Sequence, residues 1–359
     1  MNLNEIALLR LVNHQITVPA LKTAGDVVSW MGAVQAQDYN MSEWAVGVRL
    51  PGSTVNTIKS AINSGEIIRT HVLRPTWHLV SAADIYWMLE LSAPQIKSLS
   101  RSRDKELGLT EQSFSRSNSI IEKALRDNQH LTRNELVKLL VAGGFINDNN
   151  RVSHLLMRAE IDGIIASGSI KAGKQTYALL ADRISKTKIL NRDEAIAELA
   201  RRYFTSHGPA TLQDFNWWSG LPVKDCRRAV EELKNSFDSA KIGDETYFFT
   251  PFNSVPKFKK NHVVLLPAFD EFIISYKSRT ASLPFENHVK AVLINGIFRP
   301  VIMHNGKVIG IWKRTVKNGK VFLNAEFFGI ATASVKKQIA ANFVSYARFI
   351  GKSPEIELI

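Results

Sequence analysis

The sequence predicts an α+β chain in which helix–helix–hairpin units follow one another, with a strand-rich region at the C-terminal end. Three observations carry that prediction. Two stretches, 131–180 and 210–249, share one grammar: a capping residue, then apolar residues at helical spacing. Each of them ends in two short β-rich runs around a polar turn that contains glycine. Beyond Pro256 the texture changes to short β-rich runs punctuated by turns.

Taken in order, the N-terminal region reads as helices over 4–12, 26–34, 41–48 and 54–63, then strands over 67–72 and 76–80. In the next stretch Thr132 can accept N–H groups at a helix start, and Glu135 three residues on can reach back to complete a capping box. A second helix over 152–162 places Leu155, Leu156 and Ala159 on one side. Gly163-Ile164-Ile165 and Tyr177-Ala178-Leu179-Leu180 then form a hairpin across a Gly/Ser/Lys-rich turn. The following stretch repeats the plan. Thr211 and Asp214 supply the cap, 225–233 the next helix with Ala229, Val230 and Leu233 apolar, and Lys241-Ile242 with Tyr247-Phe248-Phe249 the hairpin.

Helix, helix and a two-stranded wing is the grammar of a winged helix-turn-helix. The predicted fold is therefore tandem winged helix-turn-helix units followed by a small C-terminal β-barrel. The division is 1–125, 126–188, 189–255 and 256–359, with the β-domain last. In that domain strands are expected over 262–266, 272–276, 299–303, 307–312 and 321–324, with Asn305-Gly306 as a hairpin turn. A final helix over 334–349 packs on them through Val335, Ile339, Phe343 and Tyr346.

Charge gives the first functional clue. The 359 residues carry a formal +13, and from Pro251 onward 16 Lys and Arg stand against 6 Asp and Glu, a surplus of ten. A basic surface attracts polyanions, of which nucleic acid is the commonest; a merely basic soluble protein is the plainer alternative. The single cysteine, Cys226, excludes a disulfide framework and any CxxC metal or redox site. Glu5 and Arg10 interrupt the only apolar stretch near the start, so no signal peptide is expected. No apolar run approaches the roughly 18 residues of a membrane span. A cytoplasmic, nucleoid-associated protein without a membrane partner is the resulting expectation. The zinc-deaminase pattern, a P-loop lysine, HExxH and GxSxG are all missing.

Among candidate site residues, Asp270-Glu271 is a tempting carboxylate pair, but on a strand its members point to opposite faces, which favours a structural contact. Gln35 and Gln37 flank Ala36 just after the apolar helical run Val27–Met31. By itself such a triplet means solvated side chains. It does not stand alone. Arg69-Thr70-His71-Val72-Leu73-Arg74-Pro75-Thr76-Trp77-His78-Leu79-Val80, His207-Gly208-Pro209-Ala210-Thr211 with Trp217-Trp218-Ser219-Gly220-Leu221, and Leu265-Leu266-Pro267-Ala268-Phe269-Asp270-Glu271-Phe272 follow in order along most of the chain. With the glutamine pair, these segments resemble the AlkZ/YcaQ-like winged-helix DNA glycosylase family, whose functional motif is Gln-aliphatic-Gln or, in a sister group, Gln-x-Asp. Pro75 departs from the pattern where glycine is more usual; proline lacks an N–H and restricts Arg74 before it.

The resemblance implies tandem winged helices curved around double-stranded DNA, with the β-barrel completing the concave surface. It implies catalysis by Gln35 and Gln37. Asp38, which adjoins the pair, could supply an accessory negative charge. No metal, no cofactor and, with no lysine marked for it, no Schiff base is expected. The expected activity is that of a monofunctional DNA glycosylase on N7-alkylated purines, extending to interstrand crosslinks as in family members. The chemistry is consistent. A cationic N7-alkyl base leaves as a neutral molecule, so what remains is to orient water and to stabilise a sugar with oxocarbenium character. A glutamine carbonyl can accept a hydrogen bond from that water and turn its dipole towards the positive charge.

Arg69, His71, Arg74, Lys277, Arg279, Lys313 and Arg314 are the DNA-contact candidates; His78 and Trp217-Trp218 read as buried. Fold does not fix function. A non-catalytic winged-helix DNA-binding or regulatory protein is the alternative, and another nucleic-acid enzyme a third. A regulator usually dimerises to read half-sites, and with no coiled coil or dimer helix in view a monomer is expected.

Overall fold

The computed structural model describes residues 1–127, 129–186, 189–251 and 262–356. The chain divides into two units, one of Met1–Ile58, Ala197–Trp218 and Pro222–Ile359, the other of Lys59–Ile196 with Ser219–Leu221.

In the first unit, short polar side chains start the helices by accepting the unpaired N–H groups of the first turn. Asn2 with Glu5 caps Leu3–Asn13, and Thr23 with Asp26 caps Ala24–Met31, both as reciprocal boxes. The second helix ends at Met31, short of the expected 34, because the chain leaves it at Gly32 and becomes extended over Val34–Gln35. Asp38 then caps Tyr39–Gly47 through the Met41 N–H at 3.1 Å. Thr211 and Asp214 make the expected reciprocal pair at the start of Leu212–Ser219. Val223–Leu233 and the hairpin of Asp238–Ile242 with Glu245–Phe249 follow.

The C-terminal part of this unit is a curled half-barrel sheet of five strands. Its order is Ser353–Ile356, Lys320–Phe327, Lys307–Lys317, Val301–His304, Val263–Leu266, antiparallel except for the parallel first pair. Asn305-Gly306 makes the expected tight turn, both residues at positive φ (48° and 80°). The expected small β-barrel is present as this half-barrel. Its edge strand Val263–Leu266 is covered by side chains: Asn342 Nδ2 donates to the Val263 carbonyl (3.0 Å), Trp44 Nε1 to Leu265 (2.8 Å) and Trp312 Nε1 to Leu266 (2.8 Å). The helix Ala333–Phe349 packs on the sheet, burying Val335, Ile339, Phe343 and Tyr346.

The expected strand over 272–276 is a short helix, Glu271–Ile274. Three buried apolar positions in a row, Phe272–Ile274, fit either structure; the Asp270 carboxylate, accepting the Phe272 N–H at 2.9 Å, starts a helical turn. Phe272, Ile273 and Ile274 join Leu11, Leu266, Val301, Met303 and Ile311 in one core.

The second unit contains the hairpin Ile67–His71 with Trp77–Ser81, the long helix Ile85–Glu106 and the helix Glu111–Leu125. Thr132 and Glu135 cap Arg133–Ala142 as a box, Asn149–Ile161 follows, and Ile165–Ser167 pairs with Thr176–Leu179. Leu155, Leu156 and Ala159 face a core with Phe114, Ile121, Leu136 and Leu140. No described helix is long and apolar enough to cross a membrane.

Candidate active site

Gln35 ends the two-residue strand, and Gln37 lies in the bend before the Asp38 helix cap. The bend separates the two amides. Gln35 is 4% exposed, Ala36 is fully buried and Gln37 is exposed. Among the described residues nothing donates to Gln35 Oε1, which is buried.

The Gln35 backbone is held by Glu271. Its Oε1 accepts the Gln35 N–H at 2.5 Å, while Oε2 accepts from Trp218 Nε1 (3.1 Å) and from the Ser275 hydroxyl. Glu271 is wholly buried at the first turn of its helix. The same helix is locked from the other side. Arg49 forks onto Asp270 with two 2.8 Å bonds and donates a third to the Ala45 carbonyl (2.7 Å). The carboxylate pair thus points two ways, one member to a guanidinium and the other to the glutamine segment.

Two buried histidines complete this layer. Arg49 Nη2 donates to His14 Nδ1 (3.3 Å), so Nε2 carries the ring hydrogen and donates to the Tyr276 hydroxyl (2.7 Å), which donates to the His207 carbonyl (2.8 Å). Burial, the nearby His207, Arg49 and Arg10 hold His14 well below its ordinary pKa. Burial also lowers His207, against the opposing pull of Glu271. The Ser206 hydroxyl donates to the Arg202 carbonyl (2.7 Å), leaving its oxygen to accept from His207 Nδ1 (2.8 Å). His207 Nε2 is then a bare acceptor, 3.7 Å from Glu271 Oε2 and without a hydrogen-bond partner among the described residues.

The basic candidates of this unit fall into two groups. Lys277 and Arg279 follow the Glu271 helix and flank Trp217, with cation-to-ring distances of 5.1 and 5.5 Å. Trp217 Nε1 is fixed to the Ile274 carbonyl (2.8 Å), yet its ring is 36% exposed, so only Trp218 of the pair is core as expected. Lys313 and Arg314 project from Lys307–Lys317 opposite Asn324 and Leu323, with Arg314 over the Tyr346 ring. Burial pushes the Tyr346 hydroxyl up to about 12; Arg314 opposes the shift, and Asp38 and Glu43 add to it. Asp38 and Arg314 therefore share one neighbourhood.

In the second unit Glu160 accepts the His71 N–H (3.1 Å), the His71 ring nitrogen Nδ1 and Trp77 Nε1 (3.4 Å). His71, expected at a DNA surface, is 7% exposed and turned onto this carboxylate. Arg69 lies over Trp77 at 4.3 Å and donates to Gln175 Oε1 (3.0 Å). Arg74 is half-buried beside exposed Pro75, in a turn where Leu73 adopts positive φ. A Cβ at Gly220 would lie 2.6 Å from the Leu73 carbonyl, so this turn needs glycine against it. His78 is buried with Nδ1 bonded to the Thr76 carbonyl (2.9 Å), as expected. Among the described residues no three His, Cys, Asp or Glu side chains cluster as a metal site.

The structural contact expected of the Asp270-Glu271 pair is present, although its partners, like the anchoring role of Glu160, are not evident from the sequence. The available signal was an acid inside an apolar run, Phe269–Ile274 and Leu155–Ile161, which must find buried donors.

Comparison with known proteins agrees with this architecture. The model of a family described as "DNA glycosylase AlkZ-like" matches residues 28–349. The interstrand DNA cross-link repair glycosylase of Streptomyces sahachiroi is 24% identical over 305 residues, covering 81% of this chain and 82% of that protein. The solved structure of the Streptomyces sahachiroi DNA glycosylase AlkZ superposes with a TM-score of 0.81 at 20% identity, over 100% of both chains, and shares the mixed α/β fold.

Proposed function

We infer that this chain, which belongs to the AlkZ-like DNA glycosylase family, hydrolyses the N-glycosidic bond of N7-alkylated purines in duplex DNA. One observation carries the reading: Gln35 buries a carbonyl oxygen that no described donor satisfies, and the exposed Gln37 lies two residues on. An unmatched buried acceptor costs about 1–3 kcal/mol, a cost that makes sense where an incoming donor relieves it. At 4% exposure the Gln35 site suits a water molecule, not a nucleotide.

Gln35 Oε1 accepts a hydrogen bond from the attacking water and aims its lone pair at C1′. Gln37, on the surface, turns its carbonyl dipole to the positive charge that develops on the sugar. Water forms the new C1′–O bond, the C1′–N9 bond breaks, and its electron pair neutralises the cationic base as it leaves. The water's proton passes to solvent. Glutamine is no strong base, and the mechanism supplies no acid to a neutral leaving group, so undamaged purines are spared.

The name of the Streptomyces relative, an interstrand cross-link repair glycosylase, extends the proposal to crosslinks, where an N7-linked purine is the same kind of leaving group. We assign Lys277, Arg279, Lys313 and Arg314 to phosphate contacts in the first unit, and Arg69 and Arg74 in the second. His71 is assigned to holding the hairpin that carries Arg69, and Asp38 to the helix cap beside the glutamine pair. The helix–helix–hairpin segments within 1–125, 126–188 and 189–255 would act as winged helix-turn-helix units, with 256–359 as the β-domain. The boundaries at 188 and at 255–256 lie outside the described residues. We expect a monomer at work on nucleoid DNA.

The test is release of N7-methylguanine from duplex DNA by the native protein and by Gln37→Ala, with binding measured across salt concentrations. Release is expected to fall by about 10²–10³-fold in the variant, with salt-sensitive affinity retained. Salt-sensitive binding without release by the native protein would instead identify a non-catalytic DNA-binding protein.

A further inference from the structure

The glutamine segment is gripped from below by a side chain that is 236 positions away in sequence. We propose that Glu271 is a positioning residue for Gln35: its carboxylate fixes the peptide from which the water-orienting amide projects. The inference rests on the role given to Gln35 above and adds the group that sets its aim.

Both carboxylate oxygens are needed. Oε1 takes the Gln35 N–H, and Oε2 takes the Trp218 indole and the Ser275 hydroxyl. Among the side chains, only an ionised acid accepts at both ends; an amide would set an NH₂ group against one of these donors. Trp218 and Ser275 fix the carboxylate's rotation, so Oε1 has one direction in which to point. The backbone of Glu271 is equally constrained, because Asp270 starts the helix and is itself forked by Arg49. Ser275 is held in turn, its carbonyl accepting from the Tyr203 hydroxyl at 3.0 Å. His207, the ionisable ring beside Oε2, is lowered by burial and presents a bare nitrogen at 3.7 Å, so it does not draw the carboxylate away. Each support ends at the same place, the N–H of Gln35, one residue before Ala36 and two before Gln37.

A double-mutant cycle on single-turnover release of N7-methylguanine tests this. Glu271→Gln is expected to slow release by on the order of 10²-fold, as a small misplacement of a reacting group does, with duplex affinity unchanged. In a Gln35→Ala background the same substitution is expected to cost nothing further, because the amide it aims is gone. Losses that multiply would overturn the proposal and leave Glu271 as a support of the fold. If Glu271→Gln does not fold, Ser275→Ala, which removes one donor, enters the cycle with a smaller loss and the same expected non-additivity. A native protein that releases no base overturns the glycosylase reading, and this proposal with it; release by the native protein with a multiplicative cycle overturns this proposal alone.

Discussion

Glu271 in the first unit and Glu160 in the second grip their strands in the same way. Each is buried, each accepts the N–H of a strand residue, Gln35 or His71, and each accepts a tryptophan indole, Trp218 or Trp77. They differ in what is left over. Around Glu160 the His71 ring closes onto the carboxylate, and neither it, Glu160 nor Trp77 keeps a buried unpaired polar atom. Around Glu271 two acceptors stay unmatched, Gln35 Oε1 and His207 Nε2. A carboxylate clamp fixes a strand in either place. Thr70 Oγ1 and Thr76 Oγ1, beside His71 and Trp77, are also buried without a hydrogen-bond partner among the described residues, so the proposal for Gln35 rests on its unmatched acceptor together with its place in the glutamine pair.

The largest effect is expected at Glu160. Glu160→Ala leaves His71 and Trp77 with buried donors facing a cavity, and should cost about 3–5 kcal/mol in urea unfolding, as removal of one partner from a buried pair does. Single-turnover release at saturating protein should be unchanged. A loss of release without a loss of stability would show that the Glu160 clamp also belongs to the chemistry.

Acid is expected to act on the Glu271 side by a smaller amount. His14 and His207 are both held below the ordinary value of 6.5 by burial, so the folded chain keeps them neutral where the unfolded chain takes up protons. Stability is therefore complete above pH 6.5 and falls as the pH drops below it, by up to about 1.4 kcal/mol per pH unit for each histidine. His130, His288 and His304 are lowered too and act in the same direction. Denaturation measured from pH 7.5 downward should show the decline, and His207→Gln should flatten it. A stability that rises towards pH 5.5 would contradict the neutral pair.

Much of the fold was legible because it is written locally. The capping pairs Thr132/Glu135 and Thr211/Asp214, the Asn305-Gly306 turn and the apolar stripe of Ala333–Phe349 all lie within a few residues of what they specify. The turn at Asn318-Gly319, with two positive φ angles, joins Lys307–Lys317 to Lys320–Phe327 and was not among the turns expected. Ile85–Glu106 was not read as a helix; Pro94 interrupts its pattern, yet the helix continues through it. The helix Glu271–Ile274 differs from the expected strand because three consecutive apolar residues, Phe272–Ile274, have no distinguishing period. The glutamine pair was visible as a motif, but its division into a buried and an exposed amide was not. That division depends on a bend and on Glu271, and, like the Arg49–Asp270 fork at a separation of 221, such a contact leaves no local trace in the sequence.

The central claim is that the unmatched Gln35 carbonyl serves catalysis and not the fold. Gln35→Met keeps the length of the side chain and removes the acceptor, so single-turnover release of N7-methylguanine and the melting temperature, measured together, test it directly. Release is expected to fall by about 10²-fold or more while the melting temperature holds or rises. Unchanged release, or release and melting temperature falling together, would contradict it.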